Sequence, residues 1–165
     1  MNVLLITDVD IKKQSVLESN VDSKILKQVI VNVQELQLQP VLGTTLYQSV
    51  LEAIKAKAES NTTIPDDIKE LMEYVNPFLI YAVLCDFIIV NNYKISNKGL
   101  MRVNDNSAQS VTSNELEYAK NYYDNYLASY KSKLIQYLKS KEKLDSKADT
   151  NVTSYSIGWY LEKPC

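Results

Sequence analysis

"PFLIYAVLCDFIIV", residues 77–90, is the stretch whose reading decides the fold. It carries one charge, Asp86, and a bilayer crossing needs about 20 predominantly apolar residues, so the run reads as a helix buried at the centre of a globule. The rest of the chain then has to cover it. Working backwards, Asn76–Pro77 offers a helix N-cap followed by a good first residue, which predicts a kink or a fresh start there. The preceding helix begins near Pro65, with Asp66 and Asp67 placed where the helix dipole favours acids. "SNTTIP", residues 60–65, separates it from a helix over about Thr45–Glu59 that buries Leu46, Val50, Leu51 and Ile54.

The helix before that runs from about Asp22, its expected N-cap, to Gln39. Ile25, Leu26, Val29, Ile30, Val33 and Leu36 recur there at steps of three and four. "QPVLGTTLYQ", residues 39–48, then forms an αα-corner. Pro40 biases Gln39 away from helical angles, and Gly43 can take the left-handed conformation that ends a helix. Thr45 and Gln48 carry the T-x-x-Q spacing of a capping box that opens the next helix.

Beyond the central run, residues 94–112 hold Gly99 and several asparagines and serines with no helical period, which predicts a loop or a small hairpin. Thr112 and Glu115 make a second capping box. The helix it opens reaches about Lys143, with a stripe of Leu116, Ala119, Tyr123, Tyr126, Tyr130 and Tyr137. In "NVTSYSIGWYLEK", residues 151–163, Tyr155, Ile157, Trp159 and Leu161 alternate with other residues in the period of a strand. A lone strand cannot satisfy its own backbone, so it has to pair with the 94–112 segment or with another molecule. The expected fold is mainly α, a small bundle of about four to five helices over residues 1–145, with an extended loop or hairpin and a C-terminal β-like arm over residues 146–165.

The 165 residues suit one core, and a net charge of -2 gives no global pull toward nucleic acid or an anionic membrane. There is no histidine, which removes the commonest general base and neutral metal ligand together. Cys85 and Cys165 form no CxxC pair, and a reducing compartment fits them best. The amino terminus has no basic region before its short apolar run, unlike a secretory signal. No cofactor, metal site or catalytic residue is expected.

Asp8 and Asp10 in "TDVD" read as first-turn acids of a short helix rather than cation ligands. The spacing from Asn104 to Glu115 fails as a calcium loop, because Ala108 and Gln109 stand where a ligand and a glycine are needed. Lys131, Lys133, Lys139, Lys141, Lys143 and Lys147 form a local basic stretch that complements a helix carboxyl end or touches phosphates. Of twelve tyrosines, six lie between residues 113 and 143. Their spacing favours helix packing, and tyrosines left at the edge of the stripe suit a protein interface. A nucleic-acid-binding helical protein and a small metal-dependent hydrolase stay open as other readings.

"LLITDVDIKKQSVLESNVDSKILKQVIVNVQELQLQPVLGTTLYQSVLEAI", within residues 3–55, resembles the head-tail connector proteins of tailed phages, those of crAss-like and related Bacteroidetes phages in particular. The "ITDVDIKK" turn, the helix introduced by "NVD" and the "QPVLGTTLY" corner follow in that family's order. A looser likeness continues through "NPFLIYAVLCDFI", "KGLMRVNDNSAQSV" and the last long helix. The resemblance implies a structural virion protein, not an enzyme, made in the host bacterial cytoplasm. Its expected assembly is a homo-oligomeric ring of twelve copies below the portal protein, which contacts the next neck or tail ring. Genomic DNA would pass through the lumen without sequence specificity, and no membrane is involved. By position, the corner around Leu42, Gly43, Thr44, Thr45 and Tyr47 would belong to the subunit core. The assembly elements would be Gly99, Met101, Val103 and Val111 of the loop, with Tyr155, Ile157, Trp159 and Leu161 of the arm.

Overall fold

A computed structural model of the chain describes residues 3–97, 99–102 and 112–141. They form a small, mainly α-helical bundle: α1 (Asp8–Gln14), α2 (Ser23–Val33), α3 (Gln39–Leu42), α4 (Thr44–Ser60), α5 (Asp66–Asn92) and α6 (Ser113–Ser140). One antiparallel hairpin, β1 (Tyr93–Ser96) and β2 (Gly99–Arg102), pairs Tyr93 with Arg102 and Ser96 with Gly99. The expected loop or hairpin at 94–112 is therefore a hairpin over its first part. Val103, Val111, the arm with Tyr155, Ile157, Trp159 and Leu161, and the boundary expected at residue 145 lie outside the described residues.

Helix α5 organises the core. By length and composition it could cross a membrane. Its Leu71, Val75, Phe78, Leu79, Ala82, Val83 and Phe87 are nevertheless buried among Leu26, Ile30, Leu38, Leu42, Leu134 and Leu138 of the other helices. It is also unbroken: Asn76–Pro77 lies inside the 27-residue helix, contrary to the kink or fresh start expected there. Pro77 removes one N–H from the ladder, but Val75, Phe78 and Leu79 are all buried around it, and that burial outweighs a single missing bond.

The second correction is at the corner. Helix α2 does not stop near Gln39; it passes into a π-turn over Gln34–Leu38, closed by the Gln39 N–H donating to the Gln34 carbonyl, and continues as α3. Gln39 keeps helical angles, φ -54 and ψ -44, so Pro40 does not deflect it. The proline ring follows a widened turn, which relieves its usual clash with the carbonyl four residues back. The π-turn also adds one residue to the helical phase. Leu36, expected on the buried face, is 73% exposed, while Gln34 and Leu38 turn inward.

Gly43 behaves as the sequence predicts and goes further. At φ 75 and ψ 157 it occupies a region that is essentially glycine-only. It is at once the C-cap of α3 and the N-cap of α4: its N–H donates to the Gln39 carbonyl (2.9 Å) and its carbonyl accepts from the Tyr47 N–H (3.0 Å). The capping box expected at Thr45 and Gln48 is therefore absent as such, because α4 has already begun at Thr44 and both side chains lie on its exposed surface. Leu42 and Tyr47 are buried on either side of the corner, and Pro40 is exposed.

The amino-terminal segment is held from within. The Leu5 N–H donates to Gln34 Oε1 (2.7 Å) and Gln34 Nε2 donates to the Val3 carbonyl (3.1 Å). Thr7 and Asp10 form a capping box for α1, and Asp8 pairs with Lys27 at 3.7 Å, so "TDVD" is a helix start as expected. Thr112 and Glu115 likewise cap α6 reciprocally.

Candidate functional site

The seam between α5 and α6 is where the tyrosines gather. The two helices run antiparallel, which brings Tyr74 against Tyr137 (centroids 4.3 Å) and Tyr81 against both Tyr126 and Tyr130 (5.1 Å each), all stacked within 18° of parallel. Tyr122 meets Tyr123 edge-on and shares a 3.1 Å hydroxyl contact with Tyr126. Lys133 and Lys141 sit over the rings of Tyr130 and Tyr137 at 5.0 and 5.8 Å. Each such aromatic pair contributes about 0.5–1.5 kcal/mol beyond the area it buries, whereas a half-exposed ion pair such as Lys120–Asp124 contributes about 0.3–0.5. Ring packing is the stronger of the two along this seam.

Further toward the hairpin the seam turns polar. Gln37, from the π-turn, donates to Asp86 Oδ2 at 3.0 Å, and Lys120 donates to Asp124 Oδ2 at 3.0 Å. The Cys85 thiol is buried, 2% exposed. Burial, with the Asp124 and Asp86 carboxylates adding to it, pushes that thiol up to about 12. Burial likewise raises Asp86 above the ordinary carboxylate value, partly offset by Lys120 and the Gln37 amide. Hydrogen bonding to Asp124 raises Lys120 and keeps it cationic. Asp86 in an apolar run was the one sequence signal for this set; Gln37, Lys120 and Asp124 carried none.

A pH dependence follows from Asp86. The folded chain holds this proton to higher pH than the unfolded chain does, so stability declines as pH rises from the ordinary Asp value through the raised one. Asp86→Asn keeps an acceptor for Gln37 and removes that decline. Its melting temperature should equal or exceed that of the unaltered chain at neutral pH, and the difference should shrink as pH falls toward about 4. Paired thermal melts check this, and a variant less stable at neutral pH would contradict it.

One end of the seam is uncovered. Tyr118, Tyr122 and Tyr126 share a face of α6 at steps of four and are 78%, 50% and 40% exposed. Counting from the Tyr81–Tyr126 stack along the antiparallel helices, Ile89 and Val90, about two turns further along α5, stand level with Tyr118, two turns earlier on α6; they are 39% and 44% exposed. Of the assembly residues inferred by position, Gly99 and Met101 lie on β2, opposite Ser96 and Lys94 in the hairpin that follows α5. Away from the seam, an open cavity of about 440 Å³ lies between the π-turn and α4, lined by Gln34, Tyr47, Gln48, Leu51, Glu52 and Lys55 among others. Among the described residues no group of three or more His, Cys, Asp or Glu side chains is placed to hold a metal ion.

Residues 38–154, from the last residue of the π-turn through the corner, both long helices and the hairpin, match a family of unknown function, DUF6712. The chain belongs to this family. No curated protein and no solved structure matches the chain. The DUF6712 match contains both helices of the α5–α6 seam, whereas the closest part of the connector resemblance, residues 3–55, overlaps it only at α3, the corner and most of α4.

Proposed function

We propose that this DUF6712 protein is a structural subunit of a phage virion, assembling with copies of itself into a ring below the portal that joins the head to the neck and tail. The observation that carries the reading is the exposed row of Tyr118, Tyr122 and Tyr126 on α6. Tyrosines presented in a row combine large contact area with few rotatable bonds, the composition favoured at protein interfaces. The ordered likeness of residues 3–55 to connector proteins supplies the setting. In this reading the occupant of the face is a second copy. A ring closes through unlike patches on successive subunits, so this face meets a different surface of its neighbour.

The test is mass measurement and electron microscopy of the protein across concentration, alone and with the cognate portal protein. Rings are expected at high concentration or on the portal. Replacing Tyr118, Tyr122 and Tyr126 together by serine should abolish them while the helical circular dichroism is retained. A chain that stays a compact monomer at every concentration and never binds the portal overturns the proposal. Strongly salt-dependent affinity of the isolated subunit for DNA would favour a nucleic-acid-binding role instead.

A further inference from the structure

Helix α6 is anchored unevenly. Its fully buried side chains, Leu134, Tyr137 and Leu138, all fall in its last two turns, and no residue from Ser113 to Tyr130 is buried to the same degree. That amino-terminal part rests on half-buried Tyr123, Leu127 and Tyr130, on the Tyr81 stacks, and on the polar set around Lys120. Beneath it lie Cys85 and Asp86. The charged and titratable groups around them come from every adjoining element: Asp86 itself from α5, Lys120 and Asp124 from α6, with the neutral amide of Gln37 from the π-turn.

We propose that residues Ser113–Tyr130 form a lid that swings from α5 as a unit, while the last turns of α6 and the rest of the bundle stay folded. Units with few buried apolar contacts open well below the free energy of global unfolding. Opening would part Tyr81 from Tyr126 and Tyr130 and expose the ring faces that stack in the closed form. The inference stands on the seam alone and does not depend on the ring assignment.

Cys85 reports the opening directly. While the lid is closed the thiol is buried and held protonated, and the thiolate is the reactive species, so modification requires the lid to move. In a Cys165→Ser chain, Cys85 is the sole thiol. Its labelling by iodoacetamide should run faster than global unfolding measured by circular dichroism and should depend weakly on low urea. Hydrogen exchange on the unaltered chain gives a second readout, with amides 116–130 exchanging well before those of 134–138. Labelling only at the rate of global unfolding, or exchange of both segments together, overturns the lid.

Discussion

Gly43→Val is expected to lower stability by about 1–3 kcal/mol, or roughly 2–12 °C of melting temperature for a chain of this size. The strain comes from the φ of 75 and ψ of 157, where any Cβ collides with backbone and a β-branched one collides most. Here the glycine cannot move away, because its N–H closes α3 and its carbonyl opens α4. Relaxing φ would break one of those bonds or change the angle between two helices that bury Leu42 and Tyr47 on either side. Gly43→Ala should lie between the two chains in a thermal melt. An unchanged midpoint for the valine variant would mean that the two helices can be rejoined another way.

A loss of similar or larger size is expected from Gln34→Leu, which keeps the volume and removes the amide. The Leu5 N–H loses its acceptor in a buried site and the Val3 carbonyl loses its donor. An unsatisfied buried group costs about 1–3 kcal/mol, so the pair amounts to about 2–6 kcal/mol. Leu5 and Ile6, 7% and 4% exposed, are then no longer held in place, and limited proteolysis should cut before α1 earlier than in the unaltered chain. Gln28→Leu is the control. Gln28 is exposed and bonded to Asn32 on its own helix, and its replacement should change stability by no more than about 0.5 kcal/mol. Equal melts for the two leucine variants would show that the Gln34 clamp contributes nothing.

The elements that were legible in the sequence are those fixed by neighbours a few residues apart. Thr112 and Glu115 stand three apart, and their reciprocal bonds need nothing from the rest of the fold; Gly43 is recognisable because almost nothing else tolerates its conformation. Thr45 and Gln48 carry a cap's spacing just as clearly, yet Gly43 starts the helix first and leaves them on its surface. The π-turn was hidden because Leu36 continues the apolar period of α2, and only the burial of Gln34 and Leu38 discloses the shift. Pro77 reads as a boundary because the local rule is sound; tertiary burial on both sides of it overrides that rule.

At the candidate site the tyrosine stripe was readable as packing with an exposed edge. Which rings stack and which stay in water depends on how α5 lies against α6. The polar set is a harder case. Asp86 and Lys120 are brought together by two antiparallel helices joined through the hairpin segment, and no local pattern links them.

The π-turn has a further meaning when the chain is viewed as the product of a reading frame. Each residue of an α-helix advances the face by about 100°. Loss of one codon among 34–38 would restore a regular helix and swing Val41 and Leu42, both buried, off the core together, while the corner at Gly43 points α4 in a new direction. The same loss in the exposed link 61–63 would only shorten a connection between α4 and α5. Two three-base deletions of equal length, some 25 codons apart, thus differ in kind: one trims a tether and the other rewinds the molecule.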